Sequence, residues 1–467
     1  MKLTRRELIA GAAAAAAAGG GVYALVERLG SAPQRAAAGR PGREQHVLDL
    51  RVIRDDGVEV IVPPLHHRIV TAKVRAADDR SSLLAAQAEL EEALRDLESD
   101  YEPTAAGLGV TVGWGLPYFD RYVPGPAAQH IPVDLRASRQ AGHTVKALTK
   151  PVRFPSDPDS VILEKNDLAI LLRSDDPAAV KSAAKKLLAL EALEPTSVRA
   201  GFAGGGFDGG QSLPKKMATA AGIPGADLIP DTSELFLGFT STQKAGLGPP
   251  RIANLETLGY TDAADGYFAG GTHMALSHVF EDLEGWYLTF DFQDRVDTTF
   301  KPGLRVRHGV QTVEQGPRDV SSVRAVVRGF HRTGTIGHSS AIQTTSRLME
   351  DVRGADGVLY RKGTAIPHRA DFNTLDSPFA WSSRPRVDGM SSDAAAGVHF
   401  VAFNPTSDDF RRNRLAMDGV LPDGTKLPLQ PGARGQGLNS VLQTTHRQNF
   451  LVPPRRHRSF PLVELLS

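Results

Sequence analysis

The chain has 467 residues, no cysteine and nearly balanced charge, with 54 Lys and Arg against 53 Asp and Glu. Its length and its apolar content of 41% allow a large core, and the charge balance gives no electrostatic case for binding nucleic acid. The lack of cysteine excludes disulfides, iron–sulfur clusters and cysteine nucleophiles. Any metal or cofactor must therefore be held by His, Asp, Glu, Tyr, Met or the backbone.

The amino terminus has the pattern of an export signal. Arg5 and Arg6 precede a short, weakly apolar run of Ala and Gly over residues 10–21, and adjacent arginines favour the twin-arginine route. This run is shorter than the roughly 20 residues that a membrane-spanning helix needs, so an uncleaved anchor is the weaker alternative. We predict a signal peptide over residues 1–38 and a flexible tether over 39–60. The mature protein is then expected in the periplasm, the cell envelope or the medium, without a stable membrane span.

Two units of strand and helix follow in chain order. Residues 68–74 read as a strand, and the next polar residues, 78–81, offer caps for a helix with a broad apolar face that carries Leu83, Leu84, Leu90, Leu94 and Leu97. Residues 168–172 form a short apolar run typical of a strand, and Pro177 stands at the first position of a helix predicted over 178–190. The glycine density between residues 203 and 225 predicts a long surface loop.

The second half of the chain repeats this order without obvious residue identity. Residues 270–276 open an apolar segment, residues 397–403 make the best late strand, and residues 410–417 suit a helix after it. We therefore predict an α+β protein with a duplicated fold, its first half at 61–235 and its second half at 236–467.

A histidine and an arginine in the second half, His338 and Arg361, are the main candidates for a site. An imidazole can ligate iron from one side, and a guanidinium that stays charged at working pH can face the other side. Asp371 and Asp376, in the polar stretch downstream, are candidates to hold the second ring nitrogen of His338.

Other readings of the histidines stay open. His273, His278 and His331 compete with His338 as ligands, and His278 and Asp282 are four residues apart, as on one face of a helix. Two such residues without a third ligand are more often structural. Because the sequence has no HExxH motif and no Gly-x-Ser-x-Gly elbow, it indicates no zinc protease and no serine hydrolase.

A series of segments resembles, in the same order, the dye-decolorizing peroxidase family. The likeness spans roughly residues 60–467, mostly as short segments, and the shared order is its strongest part. The segments lie at residues 108–121, 166–177, 237–239, 270–272, 361–363, 397–404 and 450–454.

The resemblance implies a duplicated ferredoxin-like fold, an α+β barrel, that binds haem b. It places His338 as the proximal iron ligand, Arg361 on the distal side and Phe400 among the cofactor-binding residues. Ser241 falls where the family carries its distal aspartate. Since a general acid or base contributes roughly 10²- to 10⁴-fold, we expect low peroxidase activity from a chain with a hydroxyl there.

Two functions follow as hypotheses from this resemblance. The first is an exported haem peroxidase that oxidises small aromatic donors with hydrogen peroxide. The second is a non-catalytic protein that keeps the fold and carries haem or another apolar ligand, and Ser241 favours it.

Overall fold

The structure is a computed structural model, which describes residues 44–55, 58–205, 212–238, 266–307, 312–313, 320–353, 359–376 and 394–467. The predicted signal peptide and Ser241 lie outside these residues. Within them, no helix combines the length and the apolar character needed to cross a membrane.

The strands, in chain order, are β1 (Val52–Asp55), β2 (Val58–Ile61), β3 (His66–Val74), β4 (Gly109–Gly115), β5 (Ile162–Leu163), β6 (Leu168–Ser174), β7 (Leu193–Phe202), β8 (Thr272–Glu281), β9 (Val306–Arg307), β10 (Thr312–Val313), β11 (Val352–Arg353), β12 (Leu359–Tyr360), β13 (His368–Arg369), β14 (Phe372–Thr374), β15 (Gly397–Asn404) and β16 (Leu442–Val452).

The helices are α1 (Arg80–Asp100), α2 (Leu116–Tyr122), α3 (Pro124–His130), α4 (Leu135–Ala141), α5 (Pro177–Leu188), α6 (Leu213–Ala220), α7 (Phe292–Thr299), α8 (Val323–Thr333), α9 (His338–Ser346) and α10 (Ser407–Met417). A π-helical turn lies at Gly285–Thr289, and short 3-10 turns lie at Ala226–Leu228, Gly437–Ser440, Arg455–His457 and Val463–Leu465.

Eight of these strands pair edge to edge into a closed antiparallel ring. The order around the ring is β15, β14, β7, β3, β6, β4, β16 and β8, and β8 pairs with β15 again. The first half of the chain contributes one contiguous arc, β7, β3, β6 and β4, and the second half contributes the other. Each arc arises from strands and helices in the order β-α-β-β-α-β, so the predicted duplicated ferredoxin-like fold is confirmed.

The outer face of the first arc is covered by α1 and α5. The side chain of Asp79 caps α1 by accepting a hydrogen bond from the backbone N–H of Ser82 at 2.9 Å, and Asp176 caps α5 in the same way. The apolar faces of both helices and the strands below them bury one large cluster that includes Val70, Leu83, Leu90, Leu94, Leu97, Ile170, Ala183 and Leu187. The helices predicted from the leucine spacing and from Pro177 are thus confirmed.

The structure corrects two expectations in the first half. Residues 213–220, within the predicted loop at 203–225, form the helix α6, because Ser212 caps it and Leu213 and Met217 face the core four residues apart. The predicted flexible tether at 39–60 is ordered in its described part. The side chain of Gln45 is buried, donates to the carbonyl of Pro453 at 2.7 Å and accepts from the N–H of Val112 at 2.9 Å.

Candidate functional site

A cavity of about 210 Å³ lies against the outer face of the second arc. Since a water molecule needs only about 10–15 Å³ on a comparable measure, there is room for a ligand of many atoms. One wall belongs to the strands β8, β15 and β16 and is lined by Ser277, Val279, Glu281, Val398, Phe400, Ala402, Leu442, Thr444 and Arg447. The facing wall belongs to α9 and α10 and is lined by His338, Ser339, Ile342, Gln343, Ser346, Phe410, Asn413, Arg414 and Met417.

The cavity exists because α9 is built from small polar residues. Its buried side chains are Ser339, Ser340, Ala341, Gln343, Thr344, Thr345 and Ser346, none of which is a large aliphatic residue. Their polar atoms are satisfied locally: the Thr344 hydroxyl donates to the carbonyl of Ala341 at 2.7 Å, and the Thr345 hydroxyl donates to Asn413 Oδ1 on α10 at 2.6 Å. The helix is thereby held close to α10 without filling the space in front of the sheet.

His338 is the first residue of α9, and its position is fixed by the glycine before it. A Cβ added to Gly337 would lie 2.4 Å from the carbonyl oxygen of Phe300, so the backbones can approach this closely only with glycine at this position. The N–H of Ser340 donates to the same carbonyl at 2.9 Å. The start of the helix is therefore anchored on Phe300, and His338 lines the cavity.

The imidazole of His338 is held in its neutral form. Burial lowers its pKa to about 3, and the positive charges of Arg369 and Arg414 lower it further. Its Nδ1 is buried and has no hydrogen-bond partner among the described residues. Histidine ligates metals through its neutral imidazole, so His338 is in the protonation state that can bind a metal in this cavity.

Arginines give the cavity its charge. Arg369 forms an ion pair with Asp371, and Arg447 forms a two-point ion pair with Asp157. Arg347 differs from them, because it is buried and no carboxylate among the described residues pairs with it. Burial lowers its pKa to about 10, so Arg347 remains a cation at neutral pH. A cavity wall with such a cation is suited to an acidic group on a ligand.

Arg361 is not part of this cavity. It follows the β11–β12 hairpin, its side chain is 64% exposed, and its Nη1 donates to Asp351 Oδ2 at 2.6 Å on the surface. The position corrects the expectation that Arg361 faces the same ligand as His338. The arginines that do lie in the cavity come from other segments of the chain.

Of the other predicted site residues, some line the cavity and others do not. Phe400 lines the cavity on β15, with the guanidinium carbon of Arg369 5.2 Å from the centre of its ring. Asp371 accepts from the N–H of Val401 at 3.0 Å, and Asp376 accepts from the N–H of Ala200 at 2.7 Å. Neither carboxylate bonds to His338. Leu237 lines the cavity just before the segment that contains Ser241, which lies outside the described residues.

The competing histidines lie elsewhere. His278 is on β8 rather than on a helix, so it shares no helix face with Asp282, and it stands in register with His399 and His446 on the neighbouring strands. His273 is buried on the same strand and is not in the cavity wall, and His331 is exposed at the end of α8. Throughout the described part of the chain, no three His, Asp or Glu residues converge on a point that could hold a metal ion.

The sequence analysis missed the arginines of the cavity and also a carboxylate. Glu281, the last residue of β8, lies in the wall opposite α9 and is buried. The signal that could have found it is the alternation of Ser277, Val279 and Glu281 along the strand, which puts a carboxylate on the same face as small residues.

Comparisons with known proteins identify a family of unknown function and solved structures that share the fold. The model of a family of unknown function, DUF7405, matches residues 64–454. No curated protein matches the sequence. One similar solved structure is a DyP-type peroxidase from Cellulomonas bogoriensis, with a TM-score of 0.52 and 18% identity over 91% of this chain and 96% of that one. Another is ferric DtpA from Streptomyces lividans, with a TM-score of 0.51 and 15% identity over 91% of this chain and 94% of that one. A DyP-type peroxidase from Streptomyces coelicolor has a TM-score of 0.50 at 15% identity, over 91% of this chain and 94% of that one. The predicted dye-decolorizing peroxidase fold is confirmed.

Proposed function

Because the model of DUF7405 matches most of its length, the chain belongs to that family, and from this premise and the fold we propose that it is a haem-dependent protein that oxidises small aromatic donors with hydrogen peroxide. The observation that carries the proposal is the placement of His338, a neutral imidazole at the start of α9, in a cavity beside the sheet.

The residues of the cavity suit haem b. This group has an apolar ring, an axial position for a nitrogen ligand and two acidic substituents. The cavity offers aliphatic and aromatic side chains such as Val398 and Phe400, the nitrogen of His338 and the cation of Arg347. When bound, haem supplies the redox chemistry that peroxide cleavage needs.

Each of these residues has a separate task in the proposal. His338 holds the ligand from the helix side, and Arg347 binds an acidic group, since a buried guanidinium without a carboxylate gains most from such a partner. Arg369, whose charge acts on His338, provides the fixed positive charge that we had expected from Arg361. Its pairing with Asp371 fixes its orientation.

A second candidate, a haem-binding protein without turnover, is favoured by one observation. The Nδ1 of His338 has no carboxylate or carbonyl partner among the described residues. Such a partner normally fixes the ring and raises its basicity as a ligand. Its absence from that part of the chain is consistent with the low activity that we expect from Ser241.

Peroxide-dependent oxidation of an anthraquinone dye, measured with protein expressed under ample haem, tests the proposal. We expect slow turnover by the parent protein, none by His338→Ala, and unchanged turnover by His331→Ala, whose side chain is exposed. Turnover that survives in His338→Ala contradicts the assignment. Haem-loaded parent protein without any turnover supports the binding role instead.

We also propose that the protein is exported by the twin-arginine route, on the pattern of Arg5, Arg6 and the small residues after them. Replacing both arginines with lysine should leave the protein in the cytoplasm, as cell fractionation would show. Unchanged export of that variant would count against the proposal.

A further inference from the structure

A carboxylic acid faces the proposed ligand from the wall opposite His338. The side chain of Glu281 lines the cavity at the end of β8, on the same strand face as Ser277 and Val279. The backbone N–H of Glu281 donates to the carbonyl of Ala396 at 3.0 Å, which holds this strand end against the start of β15. The residue is 4% exposed, so the position of its carboxyl group is set by the protein rather than by solvent.

Among the described residues, no cation neutralises this carboxyl group. Its Oε2 is buried without a hydrogen-bond partner, and no Lys, Arg or His among the described residues forms an ion pair with it. Two arginines of the cavity wall are engaged by other acids, Arg369 by Asp371 and Arg447 by Asp157, and Arg347, with which no described carboxylate pairs, forms no ion pair with Glu281 either. Most buried acids in proteins are paired or hydrogen-bonded, so an acid left in this state in a cavity wall is a candidate for a role in chemistry.

We propose that Glu281 is the proton carrier of this cavity, exchanging a proton with hydrogen peroxide on the side that faces away from His338. The proposal rests on the proposed function and deepens it. It assigns to Glu281 the task that the sequence comparison expected at the position of Ser241.

The step concerns a single proton. The Glu281 carboxylate accepts a proton from one oxygen of hydrogen peroxide and returns it to the other oxygen, which leaves as water when the O–O bond breaks. The carboxylate ends in the form in which it began. Haem, when bound, would supply the two electrons of the cleavage and take up the remaining oxygen atom. The fixed charge of Arg369 stabilises the negative charge that develops on the leaving oxygen.

The protonation state suits this task. Burial raises the pKa of Glu281 to about 8, and the negative charge of Asp371 adds to the effect, so both forms of the carboxyl group are populated near neutral pH. The other titratable or charged groups around it are Tyr287, whose pKa is itself raised by burial, and the cavity residues His338, Arg347, Arg369, Arg414 and Arg447.

Infrared spectroscopy of the unloaded protein tests the proposal without turnover. The parent protein should show the stretching band of a protonated carboxyl group at pH 6, and that band should lose intensity as the pH rises through about 8. Glu281→Gln should remove this component. Asp376→Asn is the matched control, because the pKa of Asp376 is also raised, to about 6, but this half-buried residue lies outside the cavity, so the component that titrates near pH 8 should persist in it. Persistence of the component in Glu281→Gln overturns the proposal.

The turnover of haem-loaded protein gives the second readout. We expect Glu281→Gln to keep the Soret band of the parent and to lose at least about 100-fold in dye oxidation, the lower end of what a general acid or base contributes. Glu281→Asp keeps the acid and should retain more activity than Glu281→Gln. It is the control for a loss of activity that comes from misfolding of the glutamine variant. A rate within about threefold of the parent overturns the role. Parent protein that binds no haem overturns the proposed function, and the infrared result then shows separately whether Glu281 carries a proton.

Discussion

The two arcs of the ring have the same order of strands and helices, yet they bury their outer faces in different ways. Over the first arc, α1 presents leucines that fill the space above β3 and β6, so that Leu90 and Leu94 have no exposed surface. Over the second arc, α9 presents serine, threonine and glutamine, and a cavity remains between helix and sheet.

The difference shows where a duplicated fold can acquire a function. The first arc contributes apolar burial and hence stability, roughly in proportion to the area removed from water. The second arc gives up part of that burial and gains a cavity with an imidazole, a buried acid and arginines. We therefore expect mutations over the first arc to act on folding and mutations over the second to act on ligand binding.

The largest predicted effect comes from the first arc. Leu94→Ala removes a fully buried side chain and should lower the free energy of unfolding by about 2–5 kcal/mol. Ile342→Ala on α9 removes a side chain that already faces the cavity, so its cost should be clearly smaller. Urea unfolding of the unloaded protein measures both. Equal losses would remove the distinction between the arcs.

The second prediction concerns Glu281 and pH. Its pKa is raised from 4.5 in the unfolded chain to about 8 in the fold, so the folded state binds the extra proton between these values. The stability that this proton contributes is present below about pH 4.5 and is lost as the pH rises through about 8. The full shift corresponds to at most about 5 kcal/mol.

Glu281→Gln should therefore be less sensitive to alkali than the parent protein. The difference in unfolding free energy between the two, measured by urea at pH 5 and at pH 9, should move in favour of the variant at the higher pH. A constant difference across this range would mean that Glu281 titrates as an ordinary exposed acid.

The third prediction separates two arginines. Arg347→Ala should weaken haem binding roughly 10- to 100-fold, because a hydrogen bond to a charged group is worth about 1.5–3 kcal/mol. Arg361→Ala removes only an exposed ion pair, so it should cost at most about 1 kcal/mol in stability and leave haem affinity unchanged. Haem titration followed by absorbance compares them, and the reverse ranking would restore Arg361 to the site.

The fourth prediction compares two glycines in the helical layer of the second arc. Gly337→Ala forces a Cβ against the carbonyl of Phe300 and should cost about 1–3 kcal/mol. Gly329→Ala, within α8 where nothing lies within 4 Å of the added Cβ, should stabilise the protein by about 0.5–1 kcal/mol. Thermal unfolding should thus move in opposite directions. Two shifts of the same sign would contradict the tight packing before His338.

The sequence was sufficient where one local signal decides the structure. The leucine spacing predicted α1, Pro177 after two aspartates predicted α5, and the apolar run at residues 397–403 predicted β15. His338 and Phe400, which the family resemblance assigned to one cofactor, both line the cavity, and their binding of haem stays a prediction.

The sequence did not predict where individual side chains point in the folded protein. The spacing from His338 to Arg361 along the chain does not reveal that a hairpin turns the arginine outward. The alternation of Ser277, Val279 and Glu281 was not enough to assign Glu281 to a site, since the end of a strand becomes a cavity wall only when the helix above it lacks large side chains. The role of Ser241 stays a prediction, as this residue lies outside the described part of the chain.

The most direct test of the account is the absorption spectrum of haem-loaded protein in two variants, His338→Ala and His331→Ala. We predict that the parent protein and His331→Ala share one Soret band, and that His338→Ala either loses haem or shows a band shifted by the loss of its axial nitrogen. An identical Soret band in all three proteins would contradict the claim that His338 holds the cofactor.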